Sequence, residues 1–478
     1  MFLEKHLYTG LEISWPTIKY MISQAQYGGK VTDDMDKRLL CCYAEVLFTP
    51  KIFSESFQFE PPEEDRVSKI PGDFTYRVPN FKTVVELRGY ADTFPDIDNP
   101  EIYGMHPNAD LTFRRKEGLA LLSTLADTQP KQSGGGGGGL SREDIVYEKA
   151  GQLRERTPAE FRYDVYMRAI RKQGGLDVPM NVFLYQEVQR FAGIQKLVRD
   201  DLLAVQLAIK GEVTMTQAIL VSINELFAAQ VPNVWMFTIT GLLFSFMLPN
   251  ISLWFNALQA RYDQWDSWLK NGRPRSFWMT GFYNPQGFLT AMKQEVTRAH
   301  RQQSWALDDV VYTTNVTKFR SSDAVNSRPD EGVYVHGLSI DGASWSLRDG
   351  CVVEAEPKKL FAQLPVMMSK YIWLLRLSLN GLKGTAKVFF GFFQFLMCFF
   401  FSVLFFLLLS VSATTIATKA IRVANEFGAK GAYECPCYLY ARRTDLYYVF
   451  IVDLPPGKTK LPRHWILRGV ALLCNTEC

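Results

Sequence analysis

Apolar residues between 184 and 209 recur at every third or fourth position: Leu184, Val188, Phe191, Ile194, Val198, Leu202, Val205 and Ile209. This is the period of one face of an α-helix, and it predicts a long amphipathic helix ended at Gly211. Arg190, Lys196, Arg199, Asp200 and Asp201 fall off the stripe and are expected on a solvated face. All of 143–230 reads as helical, with a shorter helix from Thr216 to Ala229. From Asn250 a second helix carries Trp254, Phe255, Tyr262, Trp265 and Trp268 until Gly272-Arg273-Pro274 breaks it. Aromatics at that spacing are expected in a core or an inter-domain seam rather than around a ligand. Another helix, Pro285 to His300, follows the turn Gly281-Phe-Tyr-Asn-Pro285.

The N-terminal region is also helical. Trp15-Pro16 sets a helix start, and Tyr27-Gly28-Gly29 ends it with residues that tolerate the positive φ of a C-cap. Thr32-Asp33-Asp34 offers capping oxygens to a second helix through Lys37, Leu40 and Tyr43. Glu60 to Pro79 reads as a loop or linker, and a loop over 94–110 precedes a short helix. After Trp305 the period changes from helical to alternating. Gly332 to Trp345, Tyr433 to Leu454 and His464 to Cys474 read as strands punctuated by glycines. Helices first and a mostly antiparallel β unit afterwards make the fold class α+β.

The length of 478 residues allows several cores, roughly three domains by a length prior. A formal net charge of +4, with no basic block interleaved with aromatics, argues against a nucleic-acid partner. The eight cysteines are scattered, unlike a disulfide framework. Cys435-Pro-Cys437 has the wrong spacing for redox or zinc chemistry and lacks a second ligand pair, so it is expected to be structural. The opening residues lack the basic and apolar regions of a signal peptide, which points to a reducing, cytosolic compartment. In that setting Asn250-Ile-Ser and Asn315-Val-Thr carry little weight as glycosylation acceptors.

Candidate chemistry is sparse. The hexaglycine run Gly134–Gly139 is followed by Leu140-Ser141, not by the Lys-Ser/Thr of a phosphate loop, and reads as a flexible linker over 129–141. His106, His336 and His464 are expected to pack or hydrogen-bond rather than ligate. Asp33, Asp34 and Asp36 could attract a cation, but Lys37-Arg38 beside them favour a charge-paired helix start. None of the GxSxG, HExxH, Walker A or GxGxxG patterns occurs in a supporting context. No catalytic, cofactor-binding or metal-ligating residue is expected in this protein.

Residues 388–411 are uncharged and long enough to cross a bilayer, and taken alone they form a transmembrane helix. They interrupt the strand pattern between Val366 and Tyr433, and their Phe, Leu and Ser bias is what pyrimidine-rich codons give. We read them as translated intron sequence, with 236–248 a milder case; a spliced message that retains codons 388–411 would refute this. The alternative reading is a membrane-anchored, non-enzymatic interaction protein.

Five motifs in order resemble the C-terminal region of dynein heavy chains. Gln26-Tyr-Gly-Gly-Lys-Val-Thr-Asp-Asp-Met-Asp-Lys-Arg-Leu-Leu40 is similar to the end of the lid of their sixth AAA+ module, and Tyr103-Gly-Met-His-Pro-Asn-Ala-Asp110 to the start of their C-terminal domain. Phe277 to Ala291, Gly332 to Trp345 and His464 to Cys474 complete the series. Asn284 to Ala299, Trp305 to Asp308 and Arg443 to Leu446 resemble axonemal outer-arm heavy chains of the gamma type. The match covers nearly all of the sequence except 236–248 and roughly 368–415.

The resemblance implies a lid piece over 1–57, a helical part of the C-terminal domain over 58–305, and a partly open antiparallel β-barrel over 306–478, interrupted by an apolar insert near 368–415. It also implies a part of a minus-end-directed microtubule motor that moves cilia or flagella, located in the cytoplasm, cytoskeleton and axoneme. ATP and Mg would be used in upstream AAA+ modules that this sequence does not hold. The implied partners are the rest of the heavy-chain ring and, through absent parts, microtubules and dynein light and intermediate chains. In the family this region lies across one face of the ring and braces it.

Overall fold

The computed structural model describes residues 12–54, 57, 83–93, 99–128, 141–236, 250–303, 305–373, 431–441, 443–457 and 460–476. The hexaglycine run, the Glu60–Pro79 linker, 388–411 and all but the first residue of 236–248 lie outside the described residues.

Helix α1 (Trp15–Tyr20) has Pro16 in its first turn and continues as a π-helical segment, Met21–Gln26. The N–H groups of Tyr27 and Gly28 both donate to Ile22 O, at 3.2 and 3.3 Å. Neither Gly28 nor Gly29 adopts a positive φ, so the expected left-handed cap is absent. Gly28 is needed for closeness instead, because a Cβ there would lie 1.6 Å from Ser23 O. Helix α2 (Asp34–Leu47) begins at Asp33, whose carboxylate accepts from the N–H groups of Met35 at 2.7 Å and Asp36 at 3.0 Å. A Thr83–Glu86 capping box starts α3 (Val84–Ala91). The expected short helix after the 94–110 loop is α4 (Asn108–Thr128), which runs for 21 residues. Its leucines remain exposed rather than packing on one buried face, which is why periodicity undersized it.

The helical layer follows: α5 (Arg142–Arg156), α6 (Tyr163–Lys172), α7 (Pro179–Ile209), α8 (Gln217–Phe227), α9 (Asn233–Met236), α10 (Ile251–Asn271) and α11 (Pro285–Ala299). Helix α7 is its axis, and α5, α8 and α11 pack on it. Of the predicted stripe, Leu184 to Val205 are buried and Ile209 is half-buried. The off-stripe residues are not all solvated. Arg199 Nη2 donates to Pro158 O at 2.7 Å, and Asp201 accepts from Trp235 Nε1 at 2.8 Å. Asn250 uses its side chain to cap α10, accepting from Ser252 N at 2.8 Å.

The strands are β1 (Ser276–Trp278), β2 (Val310–Val316), β3 (Val333–His336), β4 (Ser339–Asp341), β5 (Ser344–Ser346), β6 (Cys351–Val353), β7 (Ala362–Gln363), β8 (Met367–Trp373), β9 (Tyr433–Tyr438), β10 (Tyr448–Leu454) and β11 (Ala471–Leu473). One sheet has the order β1-β3-β8-β2, a second the order β10-β9-β11-β4-β7, and β5 pairs with β6. The β1–β3 and β9–β11 pairs are parallel and the rest antiparallel. Among the described residues neither sheet closes into a barrel, so the structure shows α+β without the closure. Side chains bridge the gap: Tyr312 Oη accepts from Ile451 N at 3.2 Å, and Thr314 Oγ1 accepts from Asp453 N at 2.8 Å.

The C-terminal run departs from its expected strand. Pro462–Leu467 is a helix, α12, with Pro462 in its first turn, and Gly469 at φ +64° releases the backbone into β11. A short apolar run carries no signal that separates one helical turn from a strand. Tertiary contacts decide it: Trp465 is buried and its Nε1 donates to Pro456 O at 3.1 Å. Among the described residues the larger apolar core connects both layers, from Val146 and Val188 through Trp265 and Phe288 to Val335 and Leu472, with a small satellite of Tyr438, Ala471 and Leu473.

Candidate functional site

Two polar seams hold the layers in register. The first lies under the Gly281-Phe-Tyr-Asn-Pro285 turn. Glu187, fully buried on α7, accepts from the N–H groups of Tyr283 at 2.7 Å and Asn284 at 3.1 Å, and from Arg190 Nη1 at 3.0 Å. It satisfies backbone donors where α11 begins. Burial pushes its carboxyl up to about 7, against the opposing pull of those hydrogen bonds and of Arg190. Arg261, buried on α10, donates to Ala257 O at 3.1 Å and Thr280 O at 3.0 Å. Its guanidinium lies over the rings of Trp278 and Tyr283 at 5.4 and 5.8 Å.

Around this seam the aromatic rings of three helices and one strand meet. Phe288 sits 4.8 Å from Phe282, 4.9 Å from Phe277 and 5.5 Å from Phe183 between ring centroids. Trp265 stacks on Phe282 at 5.6 Å, and Trp268 meets Phe277 at 5.0 Å. These tryptophans form core, as their helical spacing predicts.

The second seam clasps the loop before α4 to the C-terminal helix. Arg468, 3% exposed, donates Nη1 to Met105 O at 3.0 Å and Gly104 O at 3.3 Å. Its Nε lies 3.3 Å from Glu354 Oε2, while His464 Nε2 is 2.5 Å from Glu354 Oε1. Gly104, at φ +78°, passes so close that a Cβ would lie 3.1 Å from Leu467 Cβ. Asn108 then anchors the next loop, donating Nδ2 to Glu356 O at 3.0 Å and accepting from Lys358 N at 2.8 Å. From α2, Arg38 donates to Glu434 O at 2.7 Å and Tyr43 to Tyr103 O at 2.8 Å, so the N-terminal helices join the same seam.

Burial works to raise the Glu354 carboxyl, but the His464 hydrogen bond and the Arg468 charge outweigh it and hold it low. Burial and then Arg468 push His106 below its ordinary range, in keeping with its Nδ1 accepting from Asn108 N at 3.1 Å. Both groups bind fewer protons folded than unfolded. Glu354 therefore contributes stability that is complete above its unfolded pKa, about 4.3, and is lost as pH falls through the lower folded value. His106 behaves likewise from about 6.5 downward. In urea unfolding, the stability advantage of wild type over Glu354→Gln is expected to shrink from pH 5 to pH 3. A constant difference across that range would contradict the assignment.

The remaining expected residues have structural partners. His336 Nδ1 lies 2.7 Å from Ser276 Oγ across the β1–β3 pair. Cys435 and Cys437 are buried on β9, and burial pushes the Cys435 thiol up to about 12. A thiol so held is protonated and unreactive at neutral pH. Among the described residues no group of three His, Cys, Asp or Glu side chains is placed to hold a metal ion, Asp33, Asp34 and Asp36 included. No helix among them is long and apolar enough to cross a membrane.

Both seams hold elements together and neither exposes reactive groups. The family profile for the C-terminal domain of the dynein heavy chain matches residues 115–374 and 408–474, more than half of the sequence. The chain belongs to the dynein heavy chains. A second profile, Dynein heavy chain AAA lid domain, matches residues 1–109. The chain is 38% identical over 467 residues to Dynein axonemal heavy chain 8 of Homo sapiens, covering 97% of this chain and 9% of that protein. It is 38% identical over 356 residues to the Dynein gamma chain, flagellar outer arm, of Chlamydomonas reinhardtii, covering 74% of this chain and 8% of that one. Against the Dynein-1-beta heavy chain, flagellar inner arm I1 complex, of the same organism, identity is 29% over 483 residues, with 99% of this chain and 9% of the relative covered. The chain thus spans about a tenth of the length of the dynein heavy chains it matches. The C-terminal-domain match omits 375–407, inside the stretch near 368–415 that sequence patterning sets apart.

The dynein motifs lie on the seams. Gly281 to Pro285 is the turn that Glu187 and Arg261 hold, and Gly104 to Asn108 is the loop that Arg468 holds, with Glu354 behind it on the Arg468 Nε. Of these four holders only Arg468 falls in a stretch that the sequence singles out, His464 to Cys474, and none is assigned a holding role there. Two had a signal: Glu187 shares a helix face with Leu184 and Phe191, and Arg261 shares one with Trp254, Leu258, Trp265 and Trp268. A charged residue inside an apolar stripe marks a buried polar contact. Glu354 and Arg468 lie in short segments with no such stripe.

Proposed function

We infer that this chain is a ring-capping part of an axonemal dynein heavy chain, of the outer-arm gamma type, that braces an AAA+ ring and contributes to minus-end-directed movement on microtubules in cilia or flagella. One observation carries the bracing role. Leu119, Leu122 and Leu125 lie along one side of α4 and are 53%, 63% and 51% exposed, an apolar surface that a covered helix would bury. The lid match ends at residue 109, where α4 is starting, and most of the relatives' length lies outside this chain. The occupant of that surface is then the upstream AAA+ portion of the heavy chain.

In this reading 1–57 belongs to the lid, 58–305 to the helical part of the C-terminal domain, and 306–478 to an open β-barrel bridged at β2 and β10. The apolar insert begins after β8, because residues 368–373 of the expected 368–415 are strand paired with β2 and β3. Hydrolysis of ATP with Mg, and contact with microtubules and with light and intermediate chains, belong to other parts of the heavy chain. The identity to the outer-arm gamma chain, 38% against 29% for the inner-arm chain, favours the subtype. The purified 478 residues are expected to hydrolyse no ATP and to glide no microtubules. Steady-state ATP turnover above a buffer control would overturn the non-catalytic role.

A further inference from the structure

Helix α4 spans the junction between the two family matches, one of which ends at residue 109 and the other of which begins at residue 115. Leu111, Arg115, Gly118, Leu122 and Leu125 follow one another along it at alternating spacings of four and three. That is the period of about 3.5 residues found where two helices lie side by side. The three leucines are 38%, 63% and 51% exposed, and Arg115 is exposed with them. The stripe is therefore open among the described residues.

The glycine in the middle of the stripe is the second observation. Glycine inside a helix costs stability relative to alanine. A Cβ at Gly118 would meet nothing within 4 Å, so no contact among the described residues requires it. Where two helices of this chain do meet, a glycine has a clear use: a Cβ at Gly151 on α5 would lie 3.1 Å from Gln206 Nε2 on α7. Gly89 and Gly193 also face open space. Gly89 lies on the short α3, and Gly193 lies among the exposed Gln189, Lys196 and Asp200 of α7. Gly118 alone of the three sits in a long apolar stripe. Packed helix axes lie roughly 8–10 Å apart according to the side chains between them, and a glycine takes the close end of that range. Arg115 adds a register, because a charge at one position of such a stripe favours the alignment that sets an opposite charge against it. Its neighbour Arg114 is paired within the helix to Asp110 at 2.7 Å.

We propose that α4 lies side by side with a helix of the upstream AAA+ portion of the heavy chain, closest at Gly118 and with an acidic residue of that helix against Arg115. This deepens the bracing role proposed above and rests on it. Position argues for the occupant: α4 starts where the lid match ends, and this chain covers only 9% of the length of its human relative.

Association of the 478-residue chain with an axonemal dynein motor ring truncated before its sixth-module lid tests the pairing. Gly118→Ala favours the helix and is expected to keep or raise the melting temperature, yet to weaken association at least tenfold. Arg115→Glu is expected to weaken it at least tenfold as well. Gly193→Ala, on the polar face of α7, is expected to leave it unchanged. A photo-reactive side chain in place of the exposed Leu121 is expected to crosslink to ring residues three or four positions apart, as a helix presents them. Wild-type binding that Gly118→Ala leaves unchanged would overturn the pairing and spare the bracing role, whereas no wild-type binding would overturn both. Crosslinks at alternating positions, as a strand gives, or dimerisation of the isolated chain that Gly118→Ala disrupts, would assign a different occupant and overturn the proposal.

Discussion

Glu187→Ala is expected to lower the unfolding free energy by about 3–5 kcal/mol, the range for removing one partner of a buried ionic contact. The carboxylate gathers three donors, two of them backbone N–H groups at the start of α11. Alanine leaves those two amides buried and unmatched, each with a desolvation penalty of about 1–3 kcal/mol. Glu187→Gln keeps the shape and separates charge from geometry. Because the folded carboxyl is pushed up to about 7, the folded state holds its proton more firmly than the unfolded state. The contribution of Glu187 is complete below its unfolded pKa of about 4.3 and is lost as pH rises through the folded value. The wild-type advantage over Glu187→Gln should accordingly fall between pH 4.5 and pH 7.5. This sign is opposite to that of Glu354, so the two seams are distinguishable in one urea series. A loss below about 1 kcal/mol for the alanine variant would show that Glu187 does not hold the turn.

Phe288→Ala is expected to destabilise the protein by about 3–5 kcal/mol, as for other fully buried aromatics. The ring is 0% exposed and meets Phe183, Phe277 and Phe282 at once. Phe183 comes from the long helix, Phe277 from β1, and Phe282 from the turn between β1 and α11. Removing Phe288 therefore opens a cavity where the helical layer meets the sheets. Phe288→Leu keeps most of the volume and is expected to stay below about 1.5 kcal/mol. Tryptophan fluorescence reads the same site, since Trp265 and Trp268 pack within this cluster. Equal losses for the two variants would show that ring packing there is unimportant.

The long elements are legible in sequence because one face of each is continuously apolar. Val188, Phe191 and Val198 on α7 announce their burial by period alone, as do Trp254, Trp265 and Trp268 on α10. Asp33 likewise declares its capping role through the residues that follow it. Legibility ends where partners are distant in sequence. His464-Trp-Ile-Leu could extend or coil, and only Glu354, Pro456 and the 104–105 carbonyls decide it. The π-helical exit at Ile22 is similar, because glycines at 28 and 29 signal a stop without saying which geometry makes it. The dynein resemblance is readable from motif order, whereas the reason for the motifs is not. Gly281-Phe-Tyr-Asn-Pro285 is set by a glutamate nearly a hundred residues earlier, as far apart as 96 positions for the Tyr283 contact. His106 and His464 both hydrogen-bond as their settings suggest, but Glu354, which His464 meets, has no local signature.

The bracing role is tested most directly by binding to an axonemal dynein motor ring truncated before its sixth-module lid. The 478-residue chain, added in trans, is expected to associate with that ring and to co-sediment with it. Paired substitutions Leu119→Glu and Leu122→Glu place charge on the exposed side of α4, far from both seams, and are expected to abolish association while leaving the melting temperature unchanged. Failure of the wild-type protein to bind the ring, or full binding by the doubly substituted variant, would contradict the account.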